Sequence, residues 1–213
     1  GFSCIRSQLG HLAQMNDNPC SLTNSSAEVV LNVANTMDPS STFLLHSSNM
    51  AATLETIMAM CSQEESGYIR RDAFRQIRNH AVRYDVDPDC RRKMVAWCYQ
   101  VVDYCKFGRE SVEIALSYLD RYLETEDGLE ALQDRTVFQL SAMTALYTAV
   151  KIHEPEAMDP KLVSNFSRGI YSPEDVEQME LVFFRSLKWR LNPPTALSFV
   201  RQFFGLIPAE AMD

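Results

Sequence analysis

A lysine closes one of the most apolar stretches of the chain. In ALYTAVK (Ala145–Lys151) the run ends on Lys151, and Ile152, His153, Glu154 and the helix-stopping Pro155 follow at once. A cation there serves either the helix dipole or a binding site. Further along, Val176, Met179, Phe183, Phe184 and Leu187 share one face when residues are set about 100° apart, and Glu180 falls inside that face. A buried carboxylate without a partner costs several kcal/mol, so Glu180 calls for a cation, and Lys151 is the candidate. The alternative has Lys151 complementing the dipole alone and Glu180 reaching water at the edge of the stripe. A second charge in apolar surroundings is Asp120, beside Leu119 and Leu123, with Arg91 as its prospective partner. No second carboxylate or histidine accompanies Asp120 at a spacing useful for acid–base chemistry, so a structural pair is the reading there.

Other chemistry finds no foothold. HEPEA fails the H-E-x-x-H zinc pattern because residue 157 is Ala and Pro155 would break the helix. Phosphate-binding glycine loops and the G-x-S-x-G elbow are absent, which excludes the common nucleotide-binding and hydrolase motifs. Of six cysteines none forms C-x-x-C, and the four histidines lie apart from them in sequence, so neither a metal nor another cofactor is expected. Cys98 and Cys105, both on one expected helix, read as reduced core thiols of an intracellular protein. The net charge of −8 argues against a grip on nucleic acid, which needs clustered cations. No run of apolar residues is long enough to span a membrane.

The elements that must hold these charges are helical throughout. Residues 1–49 are rich in Ser, Thr and Asn without a sustained period and are expected to be disordered. Residues 50–89 carry an amphipathic helix over Met50–Glu65, a second helix in RDAFRQIRNHAVRY, and a turn at Pro88. A helical bundle is expected over 90–192. Its first helix (Arg91–Cys105) has Met94, Trp97, Cys98, Val101 and Val102 on a stripe, and its second spans Arg109–Glu124. The third, Asp134–Ile152, is apolar nearly all round and belongs at the centre of the bundle. A short fourth helix opens on Asp159-Pro160 and stops at Gly169. The fifth opens on Ser172-Pro173-Glu174-Asp175 and runs to about Trp189. Residues 193–213 begin another helix.

Four stretches together, RRKMVAWCYQVV, ALSYLDRYLE, QLSAMTALYTAVKIHE and YSPEDVEQMELVFFRSLKWRLNPPT, resemble the N-terminal cyclin box, in order and at the right separations over Cys90–Thr195. The wording of the last is most similar to D-type cyclins. The resemblance implies an all-α fold: a five-helix cyclin box preceded by an N-terminal helix, with residues 193–213 starting a second box. It implies a regulatory subunit and no enzyme, one that forms a heterodimer with a cyclin-dependent kinase and drives a mobile helix of that kinase into its active position during the cell cycle. Location in nucleus and cytoplasm is implied with it. Lys151 and Glu180 then lie on the kinase-binding face, Ile152, Phe184 and Leu191 supply apolar area around them, and Arg91–Asp120 is the internal pair. No nucleic acid, membrane or small-molecule ligand is expected.

Two features depart from the family pattern or match it weakly. The substrate-docking motif M-R-x-I-L-x-x-W reads here with Cys90, Lys93 and Met94 at its apolar positions before Trp97, and Gln100 replaces the acid after the tryptophan. Poor recognition of R-x-L substrates follows. RSQL (Arg6–Leu9) matches a minimal destruction box of four residues. A cyclin-fold adaptor of the transcription-factor type, binding proteins or nucleic acid without a kinase, is the competing function, and the acidic balance speaks against its nucleic-acid form.

Overall fold

The computed structural model describes residues 39–69, 71, 73, 74 and 84–207, with side chains from Asn49 onward. The helices among them are α1 (Pro39–Ser66), α2 (Pro88–Cys105), α3 (Glu110–Tyr122), α4 (Leu129–Gln133), α5 (Arg135–His153), α6 (Pro160–Phe166), α7 (Pro173–Ser186) and α8 (Ala196–Phe204). The described residues contain no strand. The all-α expectation holds. Residues 1–38, with the RSQL motif, lie outside the described residues, as does most of RDAFRQIRNHAVRY, of which Ala73 and Phe74 are helical and buried.

One boundary needs correction. Residues 39–49 are helical, so α1 begins eleven positions before the expected Met50. Pro39 suits a first helical turn, where its missing N–H removes no bond. The Ser/Thr-rich composition of this stretch points the other way.

Residues 63–195 form one compact unit, and the described residues up to Ser62 together with those from Ala196 form another. In the first unit α5 is the axis, packed against α2, α3, α4, α6 and α7. Every residue from Ser141 to Val150 on it is buried. Ala142, Ala145 and Ala149 let the neighbouring helices approach closely, while Met143, Leu146 and Val150 fill the space between them. Buried hydroxyls on this helix need partners. Ser141 Oγ donates to the Val137 carbonyl at 2.8 Å. Thr148 turns to Glu180, and among the described residues Thr144 Oγ1 meets no hydrogen-bond partner.

The helix starts are sharply defined. Asp87 accepts from Cys90 N at 2.8 Å, Asp134 from Thr136 N at 2.6 Å and Asp159 from Lys161 N at 2.8 Å. Ser172 and Asp175 make a reciprocal capping box on α7. The helix α7 ends at Ser186, short of the expected Trp189. The chain reverses there, with Lys188 at φ 52° and Trp189 at φ 59°, and Trp189 N donates to the Phe184 carbonyl at 3.0 Å. Two consecutive side-chain-bearing residues in left-handed conformation cost about 1 kcal/mol each or somewhat more. The helical period carries no sign of this turn.

In the second unit, Thr53 and Thr56 hydroxyls bond back to the Asn49 and Ala52 carbonyls of α1. Met50, Leu54 and Met58 are exposed on that helix, as are Leu197, Val200, Phe203 and Phe204 on α8.

The described cysteines, Cys61, Cys90, Cys98 and Cys105, are all free thiols. Burial pushes the Cys98 thiol up from 9.0 to about 12. Between those values the unfolded chain gives up this proton while the folded one keeps it. Stability is therefore intact below pH 9.0 and falls as pH rises toward about 12, with a limiting slope of about 1.4 kcal/mol per pH unit. Urea unfolding across this range should show a shallower decline in Cys98→Ala than in the native chain. Equal slopes would remove Cys98 as the cause.

Candidate protein-binding site

The charges singled out from the sequence meet in space. At the C-terminal end of α5, Lys151 Nζ donates to Glu180 Oε2 of α7 at 2.7 Å. The Glu180 side chain is only 7% exposed while that of Lys151 is 43% exposed, so the pair runs from the core edge to the surface. Thr148, one turn earlier on α5, reaches the other oxygen, Glu180 Oε1, at 3.4 Å. The ammonium also lies 5.4 Å from the centre of the Tyr147 ring. Its hydrogen bond to Glu180 holds the Lys151 ammonium above the ordinary lysine range. This contribution to stability is present below the ordinary value of 10.5 and disappears only as pH rises through the folded value. The ammonium therefore stays charged throughout the physiological range.

Apolar area surrounds it. Ile152, next to the lysine, is exposed. Phe184, one turn beyond Glu180 on α7, is half-buried and stacks on Trp189 with ring centroids 4.9 Å apart. Trp189 is 70% exposed, the indole held outward by the left-handed turn that ends α7. Leu191 is half-buried. Its carbonyl accepts from His153 Nε2 at 2.9 Å and also from the Tyr118 hydroxyl of α3. His153 thus ties the end of α5 to the extended segment after α7. The next residue does the same on the other side, because the Glu154 carboxylate accepts from Gly108 N at 2.9 Å and from the Ser111 hydroxyl. The HEPE tail is an anchor for two neighbouring segments.

Sequence reasoning places Lys151, Glu180, Ile152, Phe184 and Leu191 together and misses Trp189, His153 and Tyr118. The helical period puts Trp189 at the end of α7, and only the positive φ values bring it to this face. A tryptophan set directly between two cations, Lys188 and Arg190, is the available signal.

Arg91 and Asp120 form the expected internal pair. Arg91 Nε and Nη2 donate to the two Asp120 oxygens, each at 2.7 Å, joining α2 to α3 in a bidentate contact. The docking positions are mostly interior. Cys90, Met94 and Trp97 are buried, with the Trp97 ring edge-on to Phe166 of α6 at 6.3 Å. Lys93 and Gln100 reach solvent, and Lys93 is bound to Asp89 at 2.7 Å.

No group of three or more His, Cys, Asp or Glu among the described residues is placed to hold a metal ion. No helix among them is long and apolar enough to cross a membrane. What the end of α5 presents is a half-exposed ion pair set in aromatic and aliphatic surface, on rigid helices. Such a surface has the make-up of a protein-binding patch, with charge for orientation and apolar area for affinity. The chain belongs to the cyclin family: the profile described as "Cyclin, N-terminal domain" matches residues 55–192. It is 31% identical over 156 residues to cyclin-D4-2 of Arabidopsis thaliana, an alignment covering 72% of this chain and 50% of that protein. Identity is 28% over 127 residues to the G1/S-specific cyclin-D1 of Mus musculus, covering 60% of this chain and 41% of the relative. It is 28% over 126 residues to the G1/S-specific cyclin-E of Caenorhabditis elegans, covering 58% and 23%. The chain spans half or less of the length of these curated relatives.

Proposed function

We propose that the chain is the regulatory, non-catalytic subunit of a cyclin-dependent protein kinase, binding it as a heterodimer and controlling progression through the cell cycle in nucleus and cytoplasm. The observation that carries this reading is the Lys151–Glu180 pair, held at the surface edge of the bundle with bonding capacity to spare. Lys151 has three N–H donors, one of which is on Glu180. Among the described residues, Glu180 Oε1 has only the long contact to Thr148. A partner segment that presents free main-chain carbonyl and amide groups where it leads into a helix can bond to both, while apolar side chains of that helix cover Ile152, Phe184, Trp189 and Leu191. Only the active arrangement of the kinase meets both requirements, so binding shifts its population toward that arrangement. Family membership supports the class of partner.

The test is co-expression of the 213-residue chain with a panel of cyclin-dependent kinases, followed by co-purification and a peptide-phosphorylation assay. Capture of at least one kinase with a rise in its activity is expected. A folded chain that captures and activates none of them would refute the proposal.

Substrates with an R-x-L sequence should gain little from this subunit. The apolar docking residues Cys90, Met94 and Trp97 are buried, the surface there offers Lys93 and Gln100, and the neighbouring acid, Asp89, is already paired with Lys93 and Arg92. Isothermal titration of an R-x-L peptide should give a Kd weaker than about 100 μM, or about −5.5 kcal/mol. Submicromolar binding would show the docking face to be functional. The exposed apolar arc of α8 fits the first helix of a second cyclin box.

A further inference from the structure

A groove of about 280 Å³ lies beside the Lys188–Trp189 turn, between that turn, the end of α3 and the chain after α1. Arg121, Lys188 and Arg190 line it, in a protein whose net charge is −8. Arg121 is the unusual member. It is only 8% exposed, yet it pairs with no carboxylate among the described residues. Its Nη1 donates to the Arg190 carbonyl at 2.9 Å, and its guanidinium carbon lies 4.7 Å from the centre of the Tyr68 ring. Burial lowers its pKa, the direction expected for a cation short of counter-charge. Arg190 comes to rest over Gly67, where a Cβ would sit 3.1 Å from its guanidinium. Among the described residues, Lys188 and Arg190 form no ion pair either.

One carboxylate, Glu124, shares the lining, and it accepts from the Arg71 amide. Burial raises the pKa of Glu124. Ser186, also in the lining, donates its hydroxyl to the Asp127 carboxylate at 2.5 Å. Three cations less one carboxylate leave the groove with two positive charges. The backbone that builds it is the strained turn described above, which sends Trp189 to the Phe184 side and the residues flanking it, Lys188 and Arg190, into the groove.

We propose that this groove is a phosphate-binding site that takes a phosphoserine or phosphothreonine of a partner polypeptide. A phosphomonoester carries close to two negative charges and three acceptor oxygens, matching the residual charge. The planar fork of Arg121 offers the phosphate a bidentate contact, and the flexible Lys188 and Arg190 close over it from the rim. Ile69, exposed and also lining the groove, gives the flanking peptide an apolar rest. A single carboxylate side chain would leave one positive charge unmatched. Neither Lys151 nor Glu180 lines the groove, and the proposal does not depend on the identity of the kinase.

The probe is a short phosphoserine peptide of otherwise Gly and Ala residues, titrated into the full chain at low ionic strength. Its unphosphorylated form, its aspartate form and inorganic phosphate are measured beside it. Binding of the phosphopeptide is expected to fall at least about tenfold in Lys188→Glu/Arg190→Glu, which changes only exposed side chains, and to weaken steeply with salt. Arg121→Lys keeps the buried charge and removes the fork, and should cost several-fold. Equal binding of the aspartate peptide would overturn the phosphate assignment. Inorganic phosphate binding as tightly as the peptide would overturn the polypeptide assignment. Unchanged affinity in the double variant would place the ligand elsewhere and end the proposal.

Discussion

Replacing Glu180 with alanine is expected to weaken kinase binding by about a hundredfold, near 3 kcal/mol, while leaving a folded chain. The carboxylate lies at the core edge, fixed by Lys151 at 2.7 Å, so its position costs nothing further when a partner arrives. Removing it takes away an acceptor and frees the lysine to wander into water. Lys151→Ala should reduce binding comparably, but the two variants differ in stability. Without the lysine, Glu180, only 7% exposed in the native pair, keeps among the described residues the Thr148 contact at 3.4 Å. An uncompensated carboxylate of this kind costs about 2 kcal/mol, less than a fully buried one because it sits at the edge. Losing Glu180 leaves a half-exposed ammonium that water can solvate. Thermal melts should therefore rank Lys151→Ala below Glu180→Ala, with Glu180→Gln closest to the native chain. Affinity should follow a different order, in which both alanine variants fail together. Folded alanine variants that retain native affinity for the kinase would remove the ion pair from the mechanism.

The second large effect falls on stability. A Cβ on Gly128 would sit 2.1 Å from the Tyr122 carbonyl oxygen, 2.7 Å from its carbonyl carbon and 2.8 Å from Leu123 Cα. All three are backbone atoms at the end of α3, where no side chain is able to swing aside. Gly128 N also bonds to the Thr125 carbonyl at 3.1 Å, which pins the loop in this close approach. Gly128→Ala must therefore push α4 and the end of α3 apart, opening the layer where Tyr122 stacks against Phe183 at 4.6 Å. A loss of about 3 kcal/mol is expected, at the upper end for overpacking. Urea titration should show it as a lower midpoint. Gly169, at φ +70° with open space around its Cβ position, provides the contrast, since alanine there meets backbone strain without a clash. A loss in Gly128→Ala no larger than in Gly169→Ala would show the loop to be more yielding than its geometry.

Much of this architecture is legible in the order of the residues alone. The all-round apolarity of 135–153 marks the central helix, because a helix with no polar face has to be enclosed. Asp159-Pro160 and Ser172-Pro173 mark two helix starts, since capping chemistry is local. The pair Lys151–Glu180 follows from a carboxylate on an apolar face and the cost of leaving it alone. What sequence does not show comes from backbone conformation and packing distance. The left-handed turn at Lys188–Trp189 has no glycine to announce it, so the period assigns the tryptophan to α7. The short α4 has too few residues to display a period. The expectation of poor docking rests on Lys93 and Gln100, which the sequence shows directly. The apolar stripe already turns Met94 and Trp97 inward, whereas the edge-on contact of Trp97 with Phe166 of α6 is a long-range one that no local pattern reports.

The anchoring of His153 and Glu154 bears on how an encounter must proceed. The last turn of α5 is tied to the Leu191 carbonyl on one side and to Gly108 and Ser111 on the other. The face carrying Lys151 therefore has little freedom left to lose on association. Whatever reshaping accompanies complex formation has to occur in the other molecule. In the proposed complex, bound and free forms of this chain should superimpose closely at residues 147–154, with the heat-capacity and entropy changes of ordering borne by the partner. On the proposed function, the chain would serve as a fixed template against which a more plastic protein sets its shape.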